Sequence, residues 1–381
     1  MKIGIDCRML GPEQGGLGRY VEQLVFQLSQ TDFINQYVLF VRPQNVAAVK
    51  IGNPKFQYTK VVADLPWYGW REQIFFKKII TREKVDLMHF PHWNVPLGFN
   101  EQFVVTIHDL LLLEYPTRAA STLGPISYWF KNKMYKKVLK HAASQAAHIL
   151  TTSEFTKQDI VKKLGIEPAK LTVTYQAPFL PQSEPAYAKV ELQRGKWGVT
   201  KPYVLYVGVA YPHKNLEKLI DAWALVSYQT GQAYQLVLAG KNNYFYEQLK
   251  AKVRENQYPD IIFTDFIADE FLSGLYSGAR LFVYPSLYEG FGLPPLEAWV
   301  CGLPVAASNQ SCLPEVLVAG AFYFDPKSVE DMTTIITQAL TDEPARTEII
   351  RQSLLEIKRF SWESLVVKTL AVYNQSRAQA K

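Results

Sequence analysis

The sequence lacks several features that would place a protein in a class at once. No apolar run among its 381 residues reaches the length that a membrane-spanning helix needs. The chain starts with a strand pattern, Lys2–Cys7, and not with a charged and then apolar leader, which predicts no signal peptide. The three cysteines, Cys7, Cys301 and Cys312, have neither metal-site nor disulfide spacing, and this favours a reducing cytosol.

An excess of charge of one sign is also missing. The net charge of +6 is too small to indicate a nucleic-acid partner, although it fits an anionic small ligand or an anionic membrane surface. A hydrophobic content of 48% and a charged content of 20% describe a folded globular protein and not a disordered chain. A chain of this length can form two domains, each with its own core.

Strand and helix patterns alternate twice along the chain. The first series begins at Lys2 and the second at Tyr203, and a proline-rich stretch without periodicity, residues 176–188, separates them. Such alternation is typical of parallel sheets with right-handed crossover helices. We therefore predict an α/β fold of two doubly wound domains, residues 1–180 and 181–358. These domains are expected to face each other across a cleft, where small-molecule sites usually lie.

The stretch Tyr284–Ala298 has the most informative local pattern. An apolar strand leads into it, glycines break the turn, and Pro294 and Pro295 stand where a helix would start. A chain of this kind directs backbone N–H groups toward an anion. Two carboxylates bracket the turn, Glu289 before it and Glu297 in the first helical turn, and a folded loop can bring both to one small polyhydroxylated ligand.

Two loops in the first half of the chain follow predicted strands. The glycine-rich loop with Gly16 and Gly18, after which Arg19 begins a helix, would let the backbone approach phosphate, but an ordinary strand-to-helix turn explains it equally well. His108 and Asp109 end a buried strand, which is where open sheets place ligands. The alternative interpretation is a capping aspartate beside a structural histidine.

Residues 115–153 contain no Asp or Glu. As a helix, this region places lysines on one face and apolar side chains on the opposite face. The lysines are Lys133, Lys136, Lys137 and Lys140, and the apolar residues are Met134, Tyr135, Val138, Leu139 and Ala142. Two interpretations stay open, a solvated helix face and a cationic surface that rests on anionic lipid head groups.

The chain also carries a set of short motifs whose order along the sequence is informative. They are Gly15–Tyr20, His108-Asp109, Tyr206–Gly208, Lys214–Leu216, Leu238–Gly240, Pro285–Pro294, Leu296–Ala298, Gly302, Pro304-Val305 and Leu313–Val316. This set resembles the retaining glycosyltransferases of family 4, with Glu289 and Glu297 as the Glu-x7-Glu motif. The resemblance implies the GT-B fold, with an acceptor-binding first domain (1–180), a nucleotide-sugar-binding second domain (181–358) and C-terminal helices (359–381) that cross back to the first.

The resemblance implies roles for individual residues. Lys214 and the amides of the two glycine loops would stabilise the departing diphosphate, Glu297 would bind ribose hydroxyls and Glu289 would bind hydroxyls of the donor sugar. His108 would contact the donor sugar without being the base, since in front-face attack the departing phosphate takes the acceptor's proton. The predicted catalytic residues are His108, Lys214 and Glu289; the predicted donor-binding residues are Gly16, Gly18, Gly208, His213, Lys214, Glu289, Gly290, Phe291, Gly292, Leu293 and Glu297; and the predicted acceptor-binding residues are Asp109 and Arg19.

We predict no metal and no cofactor other than the nucleotide-sugar co-substrate. Many glycosyltransferases hold a divalent metal with an Asp-x-Asp pair, which this sequence lacks, and His89 and His92 have no carboxylate at ligand spacing. The chain departs from its relatives at His213, because many of them carry Arg before the phosphate-binding lysine. A neutral imidazole there is expected to weaken the phosphate clamp.

The resemblance implies a cytoplasmic hexosyltransferase at the inner face of the plasma membrane. The expected donor is GDP-mannose and the expected acceptor a lipid-linked or cell-surface glycan such as lipopolysaccharide O-antigen, because Asp6-Cys7-Arg8 with the glycine loop is similar to bacterial mannosyltransferases. Rhamnosyl or glucosyl transfer from another nucleotide sugar is the first alternative. A nucleotide-sugar epimerase would lack the Glu-Gly-Phe-Gly signature that this sequence carries at Glu289–Gly292, and a phosphorylase would need a cofactor-anchoring lysine motif that this sequence lacks. A non-catalytic nucleotide-sugar-binding subunit would not need Lys214, Glu289 and Glu297 together.

Overall fold

The chain divides into two compact units, unit 1 with residues 1–176 and 360–381 and unit 2 with residues 177–359. The computed structural model describes residues 1–116, 124–179, 187–258 and 260–379. Residues 180–186 of the predicted linker lie outside these ranges. Within the described ranges, no helix is both long and apolar enough to cross a membrane.

Unit 1 is built on a parallel sheet of seven strands. In chain order they are β1 (Lys2–Asp6), β2 (Gln36–Val41), β3 (Gln57–Val62), β4 (Leu87–Phe90), β5 (Phe103–Ile107), β6 (His148–Thr151) and β7 (Leu171–Val173). Their order across the sheet is β3-β2-β1-β4-β5-β6-β7. The direction of winding therefore reverses between β1 and β4, and the loops that leave these two strands diverge at the carboxyl edge.

The helices of unit 1 cover the two faces of this sheet. They include α1 (Gly15–Thr31), α2 (Lys77–Glu83), α3 (Leu111–Glu114), α4 (Pro125–Gln145) and α5 (Glu154–Leu164). An apolar cluster lies on each face of the sheet. Helix α5 begins at Glu154, where the Ser153 hydroxyl accepts the Thr156 N–H at 3.1 Å and so caps the first turn.

Helix α4 has the two-faced character that the sequence predicts, with one correction. Its predicted apolar residues Tyr135, Val138 and Leu139 are buried in the unit 1 core, and the four lysines of the predicted cationic face are exposed. Met134 was expected on the buried face but is 44% exposed. One residue before Tyr135, it lies at the edge of that face, beside the lysines.

Unit 2 contains a second parallel sheet, of six strands. They are β8 (Tyr203–Val207), β9 (Gln235–Ala239), β10 (Ile261–Asp265), β11 (Leu281–Tyr284), β12 (Val305–Ser308) and β13 (Ala321–Phe324). Their order, β10-β9-β8-β11-β12-β13, is that of the Rossmann fold. The helices are α6 (Tyr187–Trp197), α7 (Leu216–Gln229), α8 (Tyr244–Glu255), α9 (Asp269–Ser277), α10 (Leu293–Val300), α11 (Leu313–Leu317), α12 (Val329–Thr341) and α13 (Glu343–Glu356).

The last helix, α14 (Trp362–Gln379), returns to unit 1. Its side chains Leu365, Val366, Val372 and Tyr373 are buried in the same apolar cluster as α1 and β1. Each such side chain stabilises the fold by about 1.5–3 kcal/mol relative to exposure. The predicted fold class, two Rossmann-like domains with a C-terminal segment crossing back to the first, is thereby confirmed.

A buried histidine joins α14 to the sheet. His89 of β4 is fully buried, with Nδ1 2.6 Å from the Tyr373 hydroxyl and Nε2 2.9 Å from Thr106 Oγ1. Burial, with a smaller contribution from His108, lowers the pKa of His89 from 6.5 to about 3. The histidine is therefore a neutral part of the core and not a metal ligand in this arrangement.

Acid is expected to destabilise the protein through this histidine. Between pH 6.5 and about 3 the unfolded chain binds a proton at His89 that the folded protein does not, so stability is complete above pH 6.5 and decreases as the pH falls. We expect His89→Gln to reduce the slope of unfolding free energy against pH by about 1.4 kcal/mol per pH unit. Urea unfolding between pH 6.5 and 4.5 measures this slope, and an unchanged slope would contradict the assignment.

Candidate active site

The candidate site of unit 2 lies where its strand order reverses. β8 and β11 are neighbouring parallel strands, and the chain continues from them to opposite sides of the sheet. Open α/β sheets bind ligands at the carboxyl ends of such a strand pair. Because Lys214 follows β8 and Glu289 follows β11, the topology brings these two residues to one edge of the sheet.

Backbone contacts join the two loops that carry these residues. Lys214 ends a short 3-10 turn, and Asn215 then takes a left-handed φ of 60°. The Asn215 side-chain amide donates to the Pro285 carbonyl at 3.2 Å, and the Leu287 N–H donates to the His213 carbonyl at 2.7 Å. The loop after β8 is thus held against the loop after β11, which limits movement of Lys214 relative to its partners.

The Lys214 ammonium lies between a carboxylate and a phenol. Its Nζ is 2.5 Å from Glu289 Oε1 and 3.3 Å from the Tyr284 hydroxyl. The side chains of Lys214 and Glu289 are only 13% and 12% exposed. Burial raises the pKa of Glu289, but the charges of Lys214 and His213 and hydrogen bonds from Lys214 and Ser286 together outweigh burial and lower the pKa. Glu289 is therefore ionised at neutral pH, beside a cation that a second anion can attract.

Helix α10 begins with glycine for a steric reason. Gly292, its N-cap, has a left-handed φ of 91°, and an added Cβ would lie 2.9 Å from the side chain of Leu313. The helix start points its N–H groups outward, but Pro294 and Pro295 have none. The amides predicted to face the diphosphate were those of Gly290–Leu293. Gly292 and Leu293 lie at the helix start, whereas Gly290 and Phe291 come before it and are buried.

Glu297 has a different environment from Glu289. It is 5% exposed within α10, and its Oε2 accepts a hydrogen bond of 2.9 Å from the hydroxyl of Tyr276 in α9.

Gly208, after β8, has φ of 154°, and its carbonyl accepts the Tyr246 hydroxyl at 2.8 Å. An added Cβ at Gly208 would lie 2.7 Å from the Tyr206 hydroxyl, so this position needs glycine.

His213 is buried next to the lysine. Burial lowers its pKa from 6.5 to about 4, and the Lys214 charge adds to this effect. Its ring stacks on Tyr211 with 6.0 Å between centroids. The imidazole is therefore neutral at physiological pH, which is the state in which we expect the phosphate clamp to be weaker than with arginine.

The predicted glycine loop of unit 1 is the first turn of a helix. Arg19 was expected to begin this helix, but α1 already starts at Gly15, so Gly16, Gly18 and Arg19 are all helical. A Cβ at Gly18 would lie 1.9 Å from the Gly11 carbonyl oxygen, and the close approach of these chain segments therefore requires glycine. Gly16 has no such neighbour and is exposed at the helix start.

His108 and Asp109 follow β5 in unit 1. The two ring nitrogens of His108 are both engaged, with Nε2 2.9 Å from the Pro91 carbonyl and Nδ1 3.1 Å from the Gln176 amide nitrogen. Burial lowers the pKa of His108 to about 4, although its bond to Pro91 opposes this. Asp109 Oδ1 accepts the Leu111 N–H at 2.9 Å and so supports the start of α3. Because His108 is neutral and both of its ring nitrogens already make hydrogen bonds, it is poorly suited to act as a base.

No metal cluster is evident in the part of the chain that the structure describes, where three or more His, Cys, Asp or Glu side chains nowhere gather in suitable geometry. Metal-independent chemistry stays a prediction.

Comparison with known proteins identifies the family. A family model described as "Glycosyl transferases group 1" matches residues 189–354, and one described as "Glycosyltransferase Family 4" matches residues 14–177. The chain is 32% identical over 298 residues to O-antigen chain mannosyltransferase B of Escherichia coli, which covers 75% of this chain and 74% of that protein. The chain belongs to the family 4 glycosyltransferases.

Two further proteins are similar to this chain, one in sequence and one in fold. The serotype-specific mannosyltransferase WbdA of Escherichia coli is 37% identical over 46% of this chain, which corresponds to only 22% of that longer protein. The sucrose-phosphate synthase of Thermosynechococcus elongatus has the same fold, with a TM-score of 0.75, 22% identity and full coverage of both chains. The predicted family and the predicted class of enzyme, a hexosyltransferase, are confirmed.

The structure of this glycosyltransferase adds partners that the sequence does not predict. Lys214 and Glu289 meet directly, Tyr284 contacts the same ammonium, and Tyr276 binds Glu297. The tyrosines lie inside an apolar strand and an apolar helix face, where a core role explains them equally well. Only the strand end position of Tyr284 signals a site.

Proposed function

We propose that this glycosyltransferase moves mannose from GDP-mannose to a lipid-linked or cell-surface glycan, with retention of configuration and without a metal or cofactor. The observation that carries the proposal is the Lys214–Glu289 pair at the strand reversal of unit 2. The mannosyl donor is inferred from the names of two relatives, O-antigen chain mannosyltransferase B and the serotype-specific mannosyltransferase WbdA. We assign the donor to unit 2 and the acceptor to unit 1.

Lys214 is the group that stabilises the leaving diphosphate. A bound donor brings phosphate oxygens into competition with Glu289 for the same ammonium. Glu289, ionised and released from Lys214, then accepts hydrogen bonds from hydroxyls of the transferred sugar. Glu297 binds the ribose, and the amides of Gly292 and Leu293 add donors at the start of α10. The Lys214 ammonium thus changes partner from Glu289 to the departing nucleotide, and no metal is needed to stabilise the leaving group.

The acceptor's proton goes to the departing phosphate oxygen. His108 is not the base in this scheme, because both of its ring nitrogens already make hydrogen bonds within unit 1. Its role is to line the site as a neutral side chain. The bond that breaks joins the anomeric carbon to the diphosphate, and the bond that forms joins that carbon to the acceptor oxygen on the same face.

A panel of nucleotide sugars tests the donor. We expect GDP-mannose to raise the melting temperature, and UDP-glucose and dTDP-rhamnose to have little effect; a ligand at 100 times its Kd stabilises by about 2.7 kcal/mol. GDP release that requires both an acceptor extract and Glu289, tested with Glu289→Gln, supports transfer. Stabilisation by another nucleotide sugar alone would reassign the donor, and binding without turnover would favour a binding subunit.

We further propose that α4 attaches the enzyme to the inner face of the plasma membrane. The four lysines of its predicted cationic face, Lys133, Lys136, Lys137 and Lys140, are exposed, and Trp129 and Phe130 in the same helix are 56% and 58% exposed. The Lys133 ammonium lies 5.1 Å from the Trp129 ring centroid. Exposed aromatic rings beside lysines are the combination that binds anionic interfaces.

Co-sedimentation with vesicles tests this attachment. Lysine-to-glutamine changes at all four positions are expected to weaken binding to phosphatidylglycerol vesicles by about tenfold or more, since each lysine contributes about 1 kcal/mol. Phosphatidylcholine vesicles should bind weakly. Vesicle binding that does not depend on anionic lipid would contradict the proposal. The matched control changes four exposed lysines of unit 2, Lys196, Lys241, Lys327 and Lys358.

A further inference from the structure

Residues 67–70 form an aromatic loop that the reaction described above does not use. Tyr68 in this loop has a φ of 62°, a left-handed conformation that residues with a Cβ rarely adopt. The same residue is 49% exposed. A strained backbone that presents a half-exposed ring persists only where the surrounding structure holds it, and such positions are frequent at binding sites.

Buried charge holds the loop in this conformation. The Tyr68 N–H donates to Glu72 Oε2 at 2.8 Å, and Glu72 is fully buried. Glu72 Oε1 accepts from Arg8 Nη2 at 2.6 Å and from the Asn94 amide at 2.7 Å. Arg8 also binds Asp6, with Nε and Nη2 2.8 Å and 2.7 Å from the two carboxylate oxygens. The loop is therefore set by the fold before any ligand arrives.

The Tyr68 ring is fixed on one side. It stacks on Trp93 with 5.3 Å between centroids and 29° between planes, and its hydroxyl is 2.8 Å from His92 Nε2. Burial raises the pKa of Tyr68, and the charges of Glu72 and Asp109 raise it further. Asp109 has the same effect on Tyr135, second to burial. The His92 ring that contacts the Tyr68 hydroxyl also lies 6.4 Å, centroid to centroid, from the ring of His108, the residue that precedes Asp109.

These residues come together at the strand reversal of unit 1. Asp6 ends β1, His92 follows β4 and Asp109 follows β5, and these three strands are neighbours in the sheet. The carboxyl edge at a reversal is the position where open sheets bind small ligands. The site therefore combines a rigid aromatic face with a carboxylate at a place suited to a ligand.

We propose that Tyr68 and Asp109 bind one hexopyranose ring of the acceptor, with the sugar's C–H face on the tyrosine ring and its hydroxyls on the carboxylate. The proposal rests on the proposed function, which requires a glycan acceptor. The face of an aromatic ring is electron-rich and receives C–H groups, and a carboxylate accepts hydroxyl donors. A phosphate group would be repelled by Asp109, and an acyl chain would gain nothing from it.

Saturation-transfer NMR without donor tests this site. The probes are methyl α-mannopyranoside, methyl α-glucopyranoside and methyl N-acetyl-β-glucosaminide, each with the full chain. We expect at least one glycoside to bind. Tyr68→Gly, which removes the ring while permitting the positive φ, should weaken that binding by about tenfold, or 1.4 kcal/mol. Asp109→Asn should weaken it too, and Tyr68→Phe, which keeps the ring, should bind within about threefold of the wild type.

Tyr58→Ala is the matched control, since Tyr58 is an exposed tyrosine of β3, 39% exposed. Thermal unfolding of each variant verifies its fold. The proposal is overturned if no glycoside binds the wild type, or if Tyr68→Gly and the wild type bind alike. Because no donor is present, these results are separate from the transfer assay: loss of transfer with Tyr68-dependent glycoside binding would reject the proposed function and leave the sugar site.

Discussion

Lys214→Ala is expected to lower kcat for glycosyl transfer by about 10²–10³-fold, the usual effect of removing one preorganised group that stabilises charge on the reacting atoms. In this site the Lys214 side chain is 13% exposed, and the loop that carries it makes a backbone hydrogen bond to the loop after β11. A cation held in this way stabilises the leaving diphosphate without first being reoriented. Steady-state kinetics with the donor identified by thermal shift measures the effect.

Two lysine variants control this experiment. Lys214→Arg keeps the charge and should retain more activity than Lys214→Ala. Lys218→Ala removes an ammonium of the following helix, α7, that binds the Lys327 carbonyl, and it should leave kcat near the wild-type value. If Lys214→Ala and Lys218→Ala have the same kcat, Lys214 does not stabilise the departing group. The proposed function would then lose its main support.

Lys214→Ala is also expected to change how the activity depends on pH. In the wild type burial raises the pKa of Glu289, and the Lys214 charge is the largest of the contributions that together hold this pKa below its usual value. Without that charge, burial dominates and raises the pKa of Glu289, so the carboxylate is protonated at higher pH. The acidic limb of the residual activity of Lys214→Ala should therefore move to higher pH than that of the wild type. An unmoved limb would mean that Glu289 is not the titrating group.

The buried strands of both sheets were predictable, because each is a short apolar run followed by a turn. β1, Lys2–Asp6, and β8, Tyr203–Val207, begin where the sequence places the starts of the two series. β3 is not predicted, because an edge strand has little core contact: its residues Gln57–Lys60 are all exposed and mostly polar. The three-residue strand β7 is too short to form a pattern. Patterning thus predicts the centre of each sheet better than its edges.

The residues of the site were named from motifs, but their contacts depend on topology. Lys214 and Glu289 are 75 positions apart, and they meet only because β11 lies next to β8. Strand order is a long-range property that local periodicity does not contain. Gly16 and Gly18 were misplaced for the opposite reason, since glycine disfavours helices and yet α1 begins at Gly15. For Gly18, close contact with the Gly11 carbonyl outweighs that preference.

The triplet Asp6-Cys7-Arg8 suggested a likeness to mannosyltransferases, and the structure gives it a physical role. Arg8 is completely buried, binds Asp6 and Glu72, and lies with its guanidinium carbon 3.7 Å from the Phe76 ring centroid. Burial raises the pKa of Glu72, and the charge of Arg8 partly offsets this. Among the described ion pairs, the Arg8 guanidinium is therefore the only cation that pairs with Asp6 and Glu72.

Arg8→Met is expected to destabilise the protein by about 3–5 kcal/mol, because it removes one partner of a buried network and leaves the carboxylates of Asp6 and Glu72 without a counter-charge. Urea unfolding followed by circular dichroism measures the loss. A triple variant, Asp6→Asn, Arg8→Met and Glu72→Gln, should be more stable than the single variant, since no uncompensated charge remains in the core. A loss below about 1 kcal/mol for Arg8→Met would contradict this account. A triple variant less stable than Arg8→Met would instead assign the cost to lost packing on Phe76 and not to unpaired charge.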